Sequence, residues 1–478
     1  MYRDKKEKRI NSRGSISLFV ALSMMLVAQF VFGMLELGRG IEIDKVAQMN
    51  TARVVESMFA TYDPDLWERY GLLGFEGEDS EEIMKYLTAK NHGEGILAME
   101  LWDISYTNYT LLTDSDGTVF IEAIAEYMEE SVALGTIDFI KDQFDELQDI
   151  ENTDVSGEDS KEIIQDAITD IENEEGLVSN VSREDNPLYT VNDAQKTGIL
   201  ELVLEDTSEV SKGVVSVEQA VSHRELCQGI NPESPDIGLY EKIMFEQYLI
   251  RNFSSYVNQK ENHSMKYELE YLLFGKESDM ENLRSVVGRL LWIRETANMA
   301  YLLTNSSKQS EAMTLATAIA GVSANPAIIE AVKWGILASW AYCESVLDVR
   351  ALLQGKKIAI IKNSNEWTSD LGGIAGCLDG FCVAEESQSG LTYEDYLGFF
   401  LLSGKNDKLA YRAMDMMEVT ISTIEGKGNF QIDHLVYSMK GKCDYHYSYL
   451  FSNLVSLASL DASSRTVSTT FSYSYKDE

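Results

Sequence analysis

The feature that most constrains this chain is a stretch of 21 residues without a formal charge near its N-terminus, Ser15–Leu35. As a helix rising about 1.5 Å per residue, it would span roughly 31 Å, which matches the hydrocarbon core of a bilayer. Its serines and Gln29 are tolerable in lipid, since a serine hydroxyl can hydrogen-bond back to the helix backbone. We therefore predict a single transmembrane helix over residues 15–35.

Basic side chains precede this stretch and set its expected orientation. They are Lys5, Lys6, Lys8, Arg9 and Arg13. Positive flanks stay in the cytoplasm, so we expect residues 1–14 to be a cytoplasmic leader and the bulk of the chain to be extracytoplasmic. A cleaved secretory signal is the alternative, but its apolar region normally spans about 7–15 residues and ends at an A-x-A-like site. The predicted location is therefore the cell membrane, in single-pass topology.

The helical pattern continues beyond the predicted membrane segment. No proline occurs from Glu36 to Tyr62, and apolar residues recur there at roughly helical spacing. Pro64 ends the pattern. We predict a juxtamembrane helical rod over residues 36–64, whose apolar stripe contacts the chain's own domain or a protein partner in a pilus or secretion complex.

The rest of the chain is strongly acidic. The formal net charge is −38, and residues 121–180 hold 19 Asp or Glu against two Lys. Such a field repels nucleic acid, so we exclude nucleic-acid binding. A calcium site would need oxygen ligands at fixed loop spacing around a central Gly, and VSGEDSKE lacks that order. The acidic region is better explained as a solvated helix pair.

Composition divides the remainder into an acidic α+β region (65–175), a linker or variable insertion (176–238) and a C-terminal α+β domain (239–478). The predicted fold class is α+β. A hairpin is expected over residues 96–120, strands at YELEYLLFG and KKIAII, and paired strands from FQIDHLVYSM to STTFSYSY. The predicted helices include Met280–Leu303, Ser310–Ala320 and Ala327–Leu353, together with YEDYLGFFLL and LAYRAMDMMEVTI. The helix at Ala327–Leu353 is apolar, but charged residues interrupt it too often for lipid exposure, so we predict a buried domain helix.

No catalytic motif is present in this sequence. It lacks GxxxxGK[ST], GxSxG, HExxH and a double CxxC. His223 with Cys227, and Cys443 with His446, could in principle hold a metal ion, but satisfied or surface side chains explain them better because nothing else supports the spacing. We predict no enzymatic activity, no cofactor and no metal.

Two cysteines flank a Gly-rich loop, GGIAGCLDGFC. In an exported domain Cys377 and Cys382 could close a small disulfide. Three other cysteines remain, so the thiols do not form a disulfide scaffold.

The opening of the chain, from RGSISLF to ERYGLLGF, resembles the anchor of TadE/TadG-like proteins from tight-adherence pilus loci. The shared features are a basic start, Gly14 before the membrane helix, Glu36 and Arg39 at its far end, and an Ala/Met-rich helix after it. The whole chain resembles more closely an uncharacterised domain-of-unknown-function family of Gram-positive anaerobic bacteria, through YDPDLWERYGLLGF, SWAYCESVLDVRALLQGKK and YEDYLGFFLL. That resemblance implies no enzymatic activity.

The Tad resemblance implies a processing position, from which this sequence departs. Pilin-like members of Tad systems are cut after a Gly, and many carry Glu at the fifth mature position. Counted from Gly14, that position is Phe19. A glutamate inside the bilayer needs a partner, such as a neighbouring subunit's N-terminus. Its absence favours an anchored accessory, tip or envelope component over a polymerising pilin.

Two functions from different classes follow. The preferred one is a membrane-anchored, non-enzymatic structural or interaction protein of a bacterial surface or secretion apparatus. The alternative is a membrane-tethered sensor or binding module, or a hydrolase with an unrecognised site.

Overall fold

The computed structural model describes residues 12–77, 80–90, 95–129, 134–152, 160–174, 181–216, 218–261, 263–321, 325–451 and 464–477. The basic flank before residue 12, His92 and residues 176–180 of the predicted linker lie outside the described residues. Within these ranges the fold is α+β, as predicted: a long N-terminal helix leads into a body of helices and one four-stranded sheet.

The long helix, α1 (Ser12–Phe59), contains 48 residues. Its first half (Ser12–Leu35) leaves most of its apolar side chains exposed, whereas its second half (Glu36–Phe59) buries one stripe. Within the described part of the chain, only α1 is long and apolar enough to cross a membrane, and none of its most apolar window is buried. The buried stripe consists of Glu36, Arg39, Ile43, Ala47, Asn50, Thr51, Val54, Val55, Met58 and Phe59.

The helices that follow α1 form most of the body. They are α2 (Pro64–Tyr70), α3 (Ser80–Lys90), α4 (Thr118–Glu129), α5 (Leu134–Glu151), α6 (Ser160–Asn173), α7 (Pro187–Ala194), α8 (Ile199–Val203), α9 (Leu239–Asn252), α10 (Glu268–Phe274), α11 (Asp279–Thr304), α12 (Ser306–Ala320), α13 (Pro326–Leu353), α14 (Ile374–Asp379), α15 (Tyr393–Leu402) and α16 (Asn406–Ser422).

The sheet is antiparallel and is organised around its third strand. Strand β3 (Leu435–Ser448) pairs with β1 (Phe75–Glu76), β2 (Glu100–Leu111) and β4 (Ser464–Ser474). The paired C-terminal strands that the sequence predicts are therefore confirmed as β3 and β4. The second half of α1 packs on β4, which places the sheet beside the helix as it leaves the candidate membrane segment.

The hairpin predicted over residues 96–120 is wrong. That region contributes one strand, β2, whose partner β3 comes from the far end of the chain. The turn residues start a helix instead of reversing the strand. Asp114 Oδ2 accepts a 2.7 Å hydrogen bond from Leu111 N, Gly117 adopts φ 77°, and α4 follows.

Helix α13 lies at the centre of the body, with α6, α11 and α12 packed around it, as the prediction of a buried domain helix requires. Two predicted strands near it are wrong. YELEYLLFG forms the helix α10, which ends at Gly275 in the left-handed conformation (φ 64°). KKIAII contributes only a single bridge between Ile358 and Leu391.

The region predicted as a linker is packed into the body where the structure describes it. Its helices α7 and α8 bury Leu188, Val191, Leu200 and Val203, and both contact α13. Buried apolar residues from Ile43 to Tyr475 belong to one continuous core. The domain boundaries predicted at residues 175 and 238 stay predictions.

Candidate functional site where the long helix meets the body

Glu36 and Arg39 lie one helical turn apart at the boundary between the two halves of α1. Both side chains are almost fully buried, at 8% and 6% exposure. Arg39 Nη1 donates to Glu36 Oε1 at 2.7 Å, so the two charges compensate each other. Their i, i+3 spacing places them on the stripe of α1 that faces the body.

Each of these side chains also binds backbone groups of the body. Arg39 donates from Nε to the carbonyl of Ile96 and from Nη1 to the carbonyl of Ser448, the latter at 2.8 Å. Glu36 Oε2 accepts hydrogen bonds from Leu450 N at 3.1 Å and Phe451 N at 2.7 Å. The pair therefore holds two separate loops, one preceding β2 and one following β3. We call this arrangement the junction.

Aromatic and small residues complete the junction. The Arg39 guanidinium lies 5.3 Å from the centre of the Tyr447 ring, within the range of a cation–π interaction. A side chain at Gly40 would come within 3.2 Å of the Tyr447 hydroxyl oxygen, so α1 and β3 approach closely there. The Phe451 ring stacks on Phe32, with 6.3 Å between centroids.

Further hydrogen bonds tie the rest of the second half of α1 to the sheet. The Thr51 hydroxyl lies 2.8 Å from the Tyr445 hydroxyl and 2.9 Å from the Thr469 hydroxyl, all in buried surroundings. At the end of α1, Tyr475 OH donates to the carbonyl of Phe59 at 2.6 Å. The second half of α1 is therefore part of the folded body.

The structure brings together only some of the residues singled out from the sequence. Glu36 and Arg39 meet in the junction. Gly14 lies in the first turn of α1, and Phe19 is 71% exposed, on the part of the helix that extends away from the body. Sequence reasoning missed Tyr445, Ser448 and Thr469, although the alternation of β3 and β4 offered a signal for the buried positions.

Cys377 lies in α14, Cys382 lies three residues after the end of that helix, and both carry thiols in this structure. Burial raises the pKa of Cys377 to about 11, so this thiol is not activated as a nucleophile. The Arg350 side chain holds the two cysteines near each other, because its Nη1 donates hydrogen bonds to the backbone carbonyls of both at 2.9 Å. The predicted disulfide stays a prediction.

A buried ionic network lies deeper in the body, between α11 and α13. Lys362 contacts Glu344 and lies 2.5 Å from Asp348, and Arg294 lies 3.0 Å from Asp348. Burial alone would raise the pKa of Asp348, but Lys362 and Arg294 outweigh it and hold that pKa below its ordinary value. Two cations balance two carboxylates, and all four side chains are almost fully buried, so the network is structural.

A serine, a histidine and an aspartate meet near a cleft of about 440 Å³, which Asp415 and Arg224 help to line. Ser222 Oγ donates to Asp415 Oδ2 at 2.6 Å and lies 2.8 Å from His223 Nδ1. A serine nucleophile must give its proton to a histidine that the carboxylate orients. Here the hydroxyl lies between the two groups and bonds the carboxylate directly, which does not fit that chemistry.

One group of side chains has the composition of a metal site. Ligand atoms of Cys227, Asp433 and His434 lie within 4.8 Å of one another. However, Asp433 Oδ1 contacts the Arg224 guanidinium, and its Oδ2 accepts from Cys227 N at 3.0 Å. A guanidinium beside the carboxylate opposes a divalent cation. Cys443 and His446, which the sequence alone does not favour as metal ligands, lie on opposite faces of β3, because the two residues are three apart in a strand.

Comparison with known proteins identifies a family for most of the body. No curated protein and no solved structure matches the chain. A family model described as a family of unknown function, DUF5702, matches residues 178–447, which is more than half of the chain and includes α7 to α16 and most of β3. The chain therefore belongs to this family of unknown function, DUF5702.

Proposed function

We propose that this protein is a membrane-anchored, non-enzymatic structural or interaction protein that carries its body on the outer side of the cell membrane. The junction is the observation that supports it most. A buried ion pair fixes the body to the helix at the point where the uncharged stretch of α1 ends. Such an arrangement suits a protein that must hold its body at a set height above the bilayer.

The resemblance of residues 13–75 to TadE/TadG-like anchors supports a finer proposal. In it, the protein is an accessory component of a Tad-like pilus, secretion or cell-surface apparatus. Neighbouring genes for a pilus ATPase and platform protein would support this assignment. A hydrolase is the weaker candidate, because the serine, histidine and aspartate that meet in the described part of the chain bond Ser222 directly to Asp415.

Protease digestion of intact protoplasts tests the topology. The region after Glu36 should be degraded, and a short N-terminal fragment should remain protected. The orientation follows from the basic flank, which favours the cytoplasm. Permeabilised protoplasts serve as the control, since both sides are then accessible. Protection of the whole body in intact protoplasts would contradict the proposal.

Mass spectrometry of the N-terminal peptide from native membranes tests the mode of anchoring. We expect residues 1–14 to be retained, apart from loss of the initiating methionine, because Phe19 occupies the position where many pilin-like substrates carry Glu. A mature terminus at Ser15, together with recovery of the protein in sheared pilus fractions, would instead identify a pilus subunit.

A further inference from the structure

We infer that the body rests on the bilayer through an apolar foot consisting of Ile96, Leu450 and Phe451, with Trp102 just above it at the level of the lipid head groups. The partner of this surface is the lipid of the same membrane that α1 spans. The inference builds on the proposed function, because it requires the first half of α1 to lie in a bilayer.

The junction fixes the height of the foot. Arg39 binds the carbonyl of Ile96, and Glu36 binds the amides of Leu450 and Phe451. Glu36 directly follows the 21-residue uncharged stretch. The backbone of both loops is therefore held at the level where the membrane-spanning segment ends.

The Phe451 side chain extends from this level toward the membrane. Its ring stacks on Phe32, which lies inside the uncharged stretch, four residues before Glu36. With a rise of about 1.5 Å per residue, Phe32 lies roughly 6 Å deeper along the helix than Glu36. Phe451 is thereby placed against a part of α1 that lipid would surround.

The remaining foot residues expose apolar surface at the same end of the body. Ile96 is 58% exposed and Leu450 is 40% exposed. Scattered exposed apolar residues are ordinary on a protein surface. These two, in contrast, lie beside α1 directly after its uncharged stretch, because Arg39 binds the carbonyl of Ile96 and Glu36 binds the amide of Leu450.

Trp102 marks the upper edge of the foot. It is 68% exposed, and its ring stacks on His446, with 4.4 Å between centroids. His446 lies two residues before Ser448, whose carbonyl binds Arg39. Two strand residues correspond to about 7 Å, which is comparable to the thickness of a head-group layer. Tryptophan is enriched at that depth.

Charge indicates which lipid the foot accepts. Glu36 and Arg39 neutralise each other, and the acidic Glu100 and Asp103 flank Trp102 along β2. These carboxylates repel anionic head groups, so the foot must contact the membrane by inserting its apolar side chains into the lipid. A zwitterionic bilayer is therefore the appropriate probe.

Quenching by brominated phosphatidylcholine in proteoliposomes tests the foot with the full-length protein. Trp102→Phe should remove a lipid-quenched component of the fluorescence. In the Trp102→Phe background, Ile96→Trp and Leu450→Trp should each restore quenching. Val214→Trp is the matched control: Val214 is 69% exposed and lies on no element that packs against α1, so its tryptophan should show no lipid quenching.

The outcomes separate this inference from the proposed function. If the protein does not co-sediment with the vesicles after alkaline extraction, the membrane anchor itself fails. If it does co-sediment but Ile96→Trp and Leu450→Trp are quenched no more than Val214→Trp, the foot does not contact lipid. The surface would then be left for a neighbouring protein, and the inference would be overturned.

Discussion

The two halves of α1 have opposite relations to their surroundings, although they form one continuous helix. The first half has no formal charge from Ser15 to Leu35 and exposes its apolar side chains. The second half buries a stripe that includes Glu36, Arg39 and Thr51, each with a partner in the body. The comparison shows that helical spacing alone does not define a helix's role. The polar residues on the stripe show where the folded body begins.

Replacing Ala47 with proline should have the largest effect on the stability of the body, because it disrupts the half of α1 that packs into the body. Ala47 is fully buried on the stripe. A proline there interrupts the helix, at a cost of about 3 kcal/mol or more, and crowds the core by about 1–3 kcal/mol. Denaturation in lipid nanodiscs should show a strongly destabilised body, while membrane retention persists. An unchanged body in Ala47→Pro would show that the second half of α1 is not part of its fold.

Arg39→Met tests the boundary between the halves. It leaves Glu36 buried without a cation, which should destabilise the body by about 3 kcal/mol. Lys45→Met is a matched control on the same helix, since Lys45 pairs with Glu42 at the same spacing but both side chains are largely exposed. That variant should change the free energy of unfolding by less than about 0.5 kcal/mol. If Arg39→Met and Lys45→Met changed the free energy of unfolding equally, the buried ion pair of the junction would contribute no more than an exposed ion pair.

The halves should also differ in their response to pH, though the effect is smaller. Burial raises the pKa of both Glu246 and Glu270 in the body to about 7, from 4.5. Between about pH 4.5 and 7 these two glutamates keep their protons in the folded state but lose them in the unfolded state. The free energy of unfolding should therefore fall as the pH rises from about 4.5 to 7, and it should change little above pH 7. The uncharged stretch Ser15–Leu35 has no such group, so membrane retention should not change over this range.

Glu246→Gln isolates this effect. At pH 8 this variant should raise the free energy of unfolding by on the order of 1–3 kcal/mol, because the buried glutamate is charged there and the glutamine is not. At pH 5 the variant should change the free energy of unfolding little, because the buried glutamate is already protonated. Glu311→Gln, at an exposed position on α12, controls for the loss of one negative charge from an acidic protein. The same stabilisation in both variants at pH 8 would point to net charge instead of burial.

Local patterns in the sequence predicted the helices well. The uncharged stretch, the absence of proline up to Pro64 and the apolar spacing identified α1, and the charges within Ala327–Leu353 separated α13 from a membrane helix. These features depend on residues close together in the chain. The strand predicted at YELEYLLFG failed because a short apolar run fits a helix or a strand equally well until its neighbours are known.

The junction could be predicted only in part. Glu36 and Arg39 are singled out in the sequence through the resemblance to TadE/TadG-like anchors, which carry an acid and an Arg at the far end of the membrane helix. Their partners, the backbone groups at Ile96 and Ser448, carry no sequence signature, because any residue supplies a carbonyl. The pairing of β2 with β3 brings together residues more than 300 positions apart, which periodicity within one segment cannot specify.

Because α1 is one continuous helix, movements of its candidate membrane segment are transmitted directly to the body. No flexible linker separates the candidate membrane segment from the body, so any tilt of the anchor carries the whole body with it. The second half of α1, at about 1.5 Å per residue, is roughly 36 Å long, and a tilt of about 20° would displace its far end sideways by roughly 12 Å. The body that packs on this half of the helix would therefore shift parallel to the bilayer whenever the anchor tilts.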